Sequence, residues 1–474
     1  MNKKNSEGSN AINRRNFLKL GAAGAAIGAV AFPAKAKEEI INKINEKTAG
    51  DFIKTHDKFP YEINEDYKPH SNKDIMFTGS FWNFHSEDED VINSGKEFSY
   101  KTFMHFEEKK GFDQLSKAMN AGGWALHNTV SPLGSQAISG SGILKWDQYR
   151  KKEGEFIPHH DWINESQYQF GNKQEAADAI KRAARLYGAD LVGITHRDKR
   201  WDYTDFVDAQ AIMEGRHEDA VYGWERFPFE PKSVIVMAFE MDYEAIATAP
   251  TDIQGAGAGA EYSSMTKTAY QLSIFLKQLG YHAIPCSNDT GLSIPYAIAA
   301  GLGEGSRMGN LITYKYGPRV RLAKVYTDFD FTEYDKPIEF GAMEFCKNCM
   351  RCADACPGKA ISFDKEPSFY PTHENKDNAW YNAQGIKKYY MDAKKCFHTW
   401  GEFGTDCGSC MASCPYNKPD FWHHRLVDKI TAAMPGPVHD FMREMDELFG
   451  YGDVGNLEKI DVFYNPKGRS YNGH

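Results

Sequence analysis

The residues with the clearest chemical meaning are eight of the nine cysteines, which form two runs near the end of a 474-residue chain. The first run places Cys346, Cys349, Cys352 and Cys356 at C-x2-C-x2-C-x3-C-P spacing. This is the bacterial ferredoxin pattern, in which three thiolates bind one [4Fe–4S] cluster and the fourth thiolate reaches a second cluster. The spacing therefore predicts iron–sulfur chemistry, in which electrons move one at a time.

The second run repeats the later half of this pattern and completes a set of eight ligands. We expect one cluster to be bound by Cys346, Cys349, Cys352 and Cys414, and the other by Cys356, Cys396, Cys407 and Cys410. Disulfides and zinc are the alternatives for closely spaced cysteines. Cys286 is left over and is expected to be a small buried apolar residue. His398 lies between two ligands but is expected at the surface or behind the ligands.

The N-terminus has the features of an export signal. Arg14 and Arg15 precede a Gly/Ala-rich apolar run from Leu20 to Phe32, and Ala34–Ala36 offers small residues for cleavage. The thirteen residues of this run are too few to span a bilayer core, which needs about 20. We therefore predict a twin-arginine signal peptide over residues 1–36. The alternative is a chance arginine pair before a soluble helix.

Charge and composition exclude one class of partner. The formal net charge is −9, and residues 1–36 carry six Lys or Arg against one Glu, so the remainder carries −14. Such an acidic chain is poorly suited to bind nucleic acid, because affinity there comes from neutralising phosphates. With 41% apolar residues and this length, we expect a globular protein of two or three domains.

The tract 173–330 alternates helices and strands. Residues 173–187 are predicted to form a helix ended by Gly188, and "DLVGIT" and "KSVIVMAFEMD" (232–242) are predicted strands. A long helix is predicted from about residue 260, because apolar residues recur there at helical spacing. This alternation favours an α/β sandwich. Residues 37–170 are polar, aromatic and irregular, and "GGWALHNTVSPLG" within them shows no recognisable chemistry.

Together these pieces resemble the respiratory reductive dehalogenases, which are corrinoid- and iron–sulfur-dependent enzymes exported by twin-arginine signals. The stretches that carry the resemblance are "RRNFLKL", "YGADLVGIT", "LKQLGYHAIP", "AIAAGLGEGSRMGNLIT", "YGPRVRLAKVYTD" and "CKNCMRCADACPGKAI". The resemblance implies an α+β or α/β fold, with a nitroreductase-like corrinoid-binding domain followed by a bacterial ferredoxin-like 2[4Fe–4S] domain.

The domain boundaries that we expect follow from this resemblance. They are a signal peptide (1–36), an N-terminal region contributing to the pocket (37–170), the corrinoid-binding domain (171–338), the ferredoxin-like domain (339–420) and a C-terminal extension (421–474). Aromatic residues in 37–170 and after residue 420 are expected to wall the pocket and its entrance.

The resemblance also implies a corrinoid with no protein ligand on its lower face. The chain lacks the D-x-H-x-x-G run of corrinoid proteins that supply such a ligand, since "GITHRDKRW" has the wrong order around His196. Small residues in "AIAAGLGEGSRMGN" and "GAGAGA" are candidates for close approach to the ring. The alternative for each glycine is tight helix packing.

Three catalytic residues are implied by the family pattern. Tyr262, near the start of the long helix, matches the proton donor. A nearby arginine would stabilise its phenolate; Arg321 is favoured over Arg319 and Arg307, although strand alternation puts Arg319 and Arg321 on one face. Asn288 matches a polar residue that helps to place the substrate, and an ordinary turn role is its alternative.

The expected function is replacement of halogen by hydrogen on a small organohalide, as the terminal reductase of organohalide respiration. The resemblance implies a small integral-membrane anchor protein, a quinone-linked electron donor, a place at the outer (periplasmic) face of the cytoplasmic membrane, and allows a homodimer. The alternatives are an epoxyqueuosine reductase, disfavoured by the signal and by the acidic charge, and an electron-transfer subunit without a substrate pocket. The sequence does not indicate which organohalide is used.

Overall fold

A computed structural model of the chain describes residues 53–130, 149–152, 155–158, 163–418 and 452–465, apart from residues 83, 86, 209, 210, 213, 214, 217 and 219. The predicted signal peptide and most of the predicted C-terminal extension lie outside the described residues, as do the aromatic residues 421 and 422.

The strands and helices of the described residues are as follows. The strands are β1 (Lys54–Thr55), β2 (Tyr149–Lys152), β3 (Glu155–Pro158), β4 (Leu191–His196), β5 (Phe206–Val207), β6 (Val221–Tyr222), β7 (Ser233–Glu240), β8 (Ala283–Cys286), β9 (Val320–Thr327) and β10 (Ile338–Glu339). The helices are α1 (Met76–Phe81), α2 (Glu89–Met104), α3 (Gln114–Val130), α4 (Lys173–Tyr187), α5 (Tyr243–Ala247), α6 (Asp252–Gln278), α7 (Ser293–Ala299), α8 (Ala342–Cys349), α9 (Arg351–Asp354), α10 (Ala393–Phe403), α11 (Ser409–Ala412) and α12 (Glu458–Tyr464).

The central feature is a four-stranded sheet with the order β4-β7-β9-β8. Each neighbouring pair is antiparallel, so the alternation of helices and strands in the sequence builds an antiparallel sheet with helices on its faces. The predicted strands "DLVGIT" and "KSVIVMAFEMD" are confirmed as β4 and β7, and the predicted helix 173–187 is confirmed as α4 with Gly188 after it.

Both faces of the sheet are covered, which explains why β7 is apolar along its length. Ile235 and Phe239 on one face pack in the same core cluster as Ile180 of α4 and Leu272 of α6. The alternate residues of β7 face a second cluster that includes Tyr296 of α7. Because successive strand side chains point to opposite faces, a strand buried on both sides needs apolar residues at every position.

Helix α6 starts earlier than the sequence predicts and includes the "GAGAGA" stretch. Its first turn is capped by Thr251, whose hydroxyl accepts the Gln254 N–H at 3.3 Å. Small residues are needed here because α3 crosses α6 closely: a Cβ added at Gly259 would lie 2.4 Å from Trp124. The "GAGAGA" stretch therefore serves tight helix packing, and the expectation that it approaches a bound ring is wrong.

The C-terminal cysteines lie on α8, α9, α10 and α11, which follow the sheet domain, or in the loops directly beside these helices, as do Cys356, Cys407 and Cys414. The N-terminal region packs against both the sheet domain and the cysteine-bearing segment: β1 pairs with β10, α2 packs against α10, and α3 packs against α6. Among the described residues, no helix combines the length and apolar character that crossing a membrane requires.

Candidate active site

A cavity of about 380 Å³ lies between the sheet, the N-terminal region and the cysteine-bearing segment. Its walls include Phe59, Tyr61 and Phe77 from the N-terminal region, which was expected to contribute to the pocket. Leu292 and Pro295 at α7 add apolar surface. A large, mainly apolar cavity with a few convergent polar groups is the usual form of a cofactor and substrate site.

The structure brings the three catalytic candidates together in the wall of this cavity. Tyr262 comes from α6, Asn288 from the loop after β8, and Arg321 from the second position of β9. The Asn288 amide Nδ2 donates to the Tyr262 hydroxyl oxygen at 2.8 Å. The Arg321 guanidinium carbon lies 5.1 Å from the centre of the Tyr262 ring. The arginine charge therefore lies against the Tyr262 ring.

The Tyr262 ring is held by aromatic neighbours from α3. The indole ring of Trp124 stacks on it with a centroid distance of 4.7 Å and an interplanar angle of 24°. The imidazole of His127 lies at 5.1 Å, and its Nδ1 is 3.1 Å from the Thr266 hydroxyl. Burial lowers the pKa of His127 to about 4, so this imidazole is neutral at neutral pH. These neighbours limit the ring to one orientation.

The three arginine candidates are separated by the structure, and only Arg321 reaches Tyr262. Strand β9 begins at Val320, so Arg319 lies directly before the strand, and the shared face of Arg319 and Arg321 stays a prediction. The Arg319 side chain donates to Glu240 and to the Met241 carbonyl instead. Arg307 is fully buried and is directed toward the first cysteine run.

Among the described residues, Arg321 has one ion-pair partner, Asp406. Its Nη2 lies 3.4 Å from Oδ2 of Asp406, the residue before Cys407, and the same oxygen accepts the Gln254 Nε2–H at 3.1 Å. Burial raises the pKa of Asp406, whereas Arg321 lowers it. The Arg321 Nε is buried without a hydrogen-bond partner in the described chain.

The loop after α7 gives the cavity a glycine-rich wall, as "AIAAGLGEGSRMGN" was expected to do. Gly305, Ser306, Gly309 and Asn310 line the cavity. A Cβ added at Gly309 would meet no atom within 4 Å, although its φ of +78° suits glycine. Backbone can therefore come close to a flat ring here, which fits a corrinoid. The described lining residues include no histidine; the expectation that the lower face lacks a protein ligand stays a prediction.

The cysteines gather in two groups. A small cavity is lined by Cys346, Cys349, Cys352 and Cys414. Cys396 has Cys410, Cys407 and Cys356 as its near neighbours, and burial, together with their charges, raises its pKa. The assignment of these two groups to two clusters stays a prediction. Cys286 is buried in the core of the sheet domain, and the His398 side chain is 58% exposed.

The chemistry of the cysteine groups fits iron–sulfur clusters. Burial raises the pKa of Cys346 to about 11 and that of Cys410 to about 12, so four such thiolates need nearby cations. No three His, Cys, Asp or Glu side chains of the described residues converge closely enough for a single metal ion. A single zinc needs sulfur atoms about 2.3 Å away.

One loop separates the large cavity from the first cysteine group. Residues 305, 306 and 309–311 line the large cavity, whereas Arg307 and Met308 between them line the small one. The first group is thus adjacent to the cavity. Electrons leaving a cluster there would have to pass only this loop.

Sequence reasoning missed several residues of the site. Trp124 and His127 lie in "GGWALHNTVSPLG", which shows no recognisable chemistry, and only the packing of α3 on α6 brings them to Tyr262. Asp406 had one usable signal, because a carboxylate directly before a ligand cysteine is close to the ligand in space. Lys388 also lines the cavity, and no pattern in the sequence indicated this position.

Comparisons with known proteins agree with this geometry. Residues 345–418 match a 4Fe–4S dicluster domain. The chain is 33% identical to a tetrachloroethene reductive dehalogenase of Dehalobacter restrictus (strain DSM 9455 / PER-K23), over 96% of each chain. An epoxyqueuosine reductase of Lactococcus garvieae (strain Lg2) is 31% identical over only 38% of this chain.

The fold is also found among solved structures. A reductive dehalogenase structure described in terms of B12-dependent dehalogenation superimposes with a TM-score of 0.61 and 20% identity. The alignment covers 89% of this chain and 53% of that one, so the chain spans about half the length of the solved protein. At this identity the match establishes the fold.

The cysteine grouping predicts how single substitutions affect iron content. Cys414→Ser should lower the iron of anaerobically purified protein from about eight to about four atoms and remove the same electron paramagnetic resonance signal as Cys349→Ser. Cys286→Ser, which changes a buried cysteine outside both groups, should keep all the iron. Loss of the signal that Cys410→Ser removes would show that Cys414 belongs to the other cluster.

Proposed function

The chain belongs to the reductive dehalogenase family, and from this premise we propose that its substrate is a chlorinated ethene. As a reductive dehalogenase, it replaces halogen by hydrogen on an organohalide with a corrinoid and two [4Fe–4S] clusters. The observation that carries the substrate proposal is the 33% identity, over 96% of both chains, to an enzyme named for tetrachloroethene. Apolar walls such as Phe59, Phe77 and Leu292 suit a neutral, apolar molecule of this kind.

The reaction needs two electrons and one proton, and it releases one halide ion. The clusters pass electrons singly, and the corrinoid, when bound, supplies a cobalt centre at which two of them are used. Gly305, Ser306, Gly309 and Asn310 would hold its ring, and Cys346 with its group lies across the loop that contains them. The remaining requirement is a proton source in the cavity.

We assign the proton to the Tyr262 hydroxyl. Because the Asn288 amide donates to the Tyr262 oxygen, the hydroxyl hydrogen is not used in that bond and can point into the cavity. After the proton has left, the Asn288 N–H and the Arg321 charge both stabilise the phenolate. Trp124 and His127 keep the ring in place while this happens.

We further propose that the protein works outside the cytoplasmic membrane, with a small integral-membrane anchor protein and a quinone-linked donor. The support is the Arg14–Arg15 pair followed by the apolar run to Phe32. A protein that receives its cofactors before export needs a route for folded chains, and the twin-arginine signal provides one. The proposal of an anchor protein and of a quinone-linked electron donor rests on the family resemblance.

The test of the proposed function is anaerobic purification followed by metal analysis and a substrate panel. We expect cobalt and iron in a ratio of about one to eight. With reduced viologen as donor, tetrachloroethene should be turned over at least about tenfold faster than a chloroalkane or a chlorophenol. Iron without cobalt would contradict the enzyme assignment, and a preference for the phenol would contradict the substrate.

Replacing Tyr262 by Phe tests the proton donor. Tyr262→Phe should lower the turnover number roughly 10²- to 10⁴-fold, because the acid is lost while the ring and its packing remain. Cobalt and iron content should not change. Tyr270→Phe is the matched control, since Tyr270 lies two turns further along α6 and outside the cavity wall. Turnover at the wild-type rate in Tyr262→Phe would remove Tyr262 from the mechanism.

The export proposal is tested by changing the arginine pair. Arg14→Lys together with Arg15→Lys should leave the uncleaved protein in the cytoplasm, because the twin-arginine route reads the pair itself. Cell fractionation and the mass of the purified chain measure this result. Efficient export and cleavage of the double variant would contradict the proposed route.

A further inference from the structure

Lys388 is a cationic residue in the cavity wall to which the mechanism assigns no role. It lies in a short extended stretch whose backbone pairs with Ser368 through two hydrogen bonds of 3.0 Å. Its neighbour Lys387 belongs to the surface and forms an ion pair with Glu62 at 2.5 Å. Adjacent residues of an extended stretch point to opposite sides. The Lys388 side chain is therefore directed inward.

The Lys388 ammonium has no counter-charge in the described chain. No carboxylate of the described residues lies within 4.0 Å of its Nζ, and its closest aromatic contact is the Tyr390 ring, at 4.8 Å. Burial alone lowers the pKa of Lys388 to about 8, so the charged form still prevails at neutral pH. The nearby His70 offers no compensation, since burial lowers its pKa and the Lys388 charge lowers it further.

Lys388 is half-buried, and a fully buried lysine shows the difference. Lys324 of β9 donates to the Ser287 carbonyl at 2.6 Å and to the Ser293 hydroxyl at 2.7 Å, and Asp289 supplies an opposite charge. The other cation of the cavity wall, Arg321, has Asp406 as its partner. Of these three cations, Lys388 is the one that lacks a compensating group and faces open space.

A charge that is partly withdrawn from bulk water is stabilised by a group of opposite sign close to it. Since no carboxylate of the described residues pairs with Lys388, an anion that enters the cavity can supply this charge. Dehalogenation releases a halide ion inside this cavity, a small anion that an ammonium group among aromatic rings can bind. A complete corrinoid also carries a monovalent anion, the phosphodiester of its nucleotide tail.

We propose that Lys388 forms an anion site in the cavity wall, which takes a monovalent anion: the halide released by the reaction or the phosphodiester of the corrinoid tail. The proposal rests on the proposed function for the origin of both anions. Lys388 would thereby hold the leaving halide away from Arg321 and Tyr262, or fix the tail of the cofactor against the wall that Ile386 and Tyr389 also form.

The experiment compares Lys388→Met with Lys387→Met in the anaerobically purified holoenzyme. Bromide binding is followed by the line width of the bromide nuclear magnetic resonance signal. Corrinoid content is measured after reconstitution with a complete corrinoid and with cobinamide, which lacks the phosphate and the nucleotide. Lys388→Arg keeps the charge and should behave like wild type, which separates loss of charge from a folding defect.

Two results support the proposal and identify the anion. If the halide is the ligand, Lys388→Met weakens bromide binding on the order of tenfold or more, whereas both corrinoids bind as in wild type. If the phosphodiester is the ligand, Lys388→Met retains less of the complete corrinoid and as much cobinamide as wild type. Lys387→Met changes neither quantity.

Two other results overturn it. Unchanged bromide binding with unchanged binding of both corrinoids would show that Lys388 holds no anion. Equal loss of both corrinoids would show that it contacts the ring itself. These readouts need no turnover, so a wild-type protein that binds bromide and corrinoid but fails to dehalogenate would contradict the proposed function and leave the anion site standing.

Discussion

The arrangement of the cavity relative to the cysteine groups depends on the hydrogen bonds that the Arg307 guanidinium donates. It is 1% exposed and donates to carbonyl oxygens of Cys346, Ser362 and Asp364 at 2.6–3.0 Å. Its own backbone belongs to the loop that lines the cavity. A planar fork of five donors is well suited to gather several carbonyls, and a lysine could not replace it there. The loop and the first cysteine helix are therefore fixed relative to each other.

This contact also has an electrostatic effect on the first cysteine group. Burial raises the pKa of Cys346, whereas the Arg307 charge lowers it. A cation beside the ligands favours the thiolate form that binds iron. The same guanidinium stacks on Tyr389, whose ring lines the cavity, with 4.3 Å between its central carbon and the ring centre. One buried side chain thus contacts the ligand segment and the wall of the pocket.

A second polar link joins the proton side of the site to the cluster segment. Arg321 sits beside Tyr262 and is paired with Asp406, which directly precedes the ligand Cys407. Tyr262, the proposed proton donor, is held from the other side by α3, whose residues have no chemistry of their own in the proposed mechanism. Electron supply and proton supply therefore meet in one cavity because three separate parts of the chain are locked onto the same sheet.

Much of this protein is determined by local patterns in the sequence. The spacing of eight cysteines specifies two clusters because ligand geometry demands that spacing, and the apolar runs of β4 and β7 specify strands because both faces are buried. The family motifs indicated Tyr262, Asn288 and Arg321, and the structure places all three in one wall.

The sequence could not predict the contacts that depend on how distant segments of the chain pack. Arg319 and Arg321 differ by two positions, yet only their tertiary contacts show that Arg321 meets Tyr262 whereas Arg319 binds Glu240. "GAGAGA" serves a helix crossing and not a ring, Trp124 reaches a residue far along the chain, and Lys388 becomes a wall residue only when its segment closes the cavity. The physical reason is that ligand spacing and strand burial are local properties, whereas the neighbours of a side chain across a cavity are set by how whole elements dock.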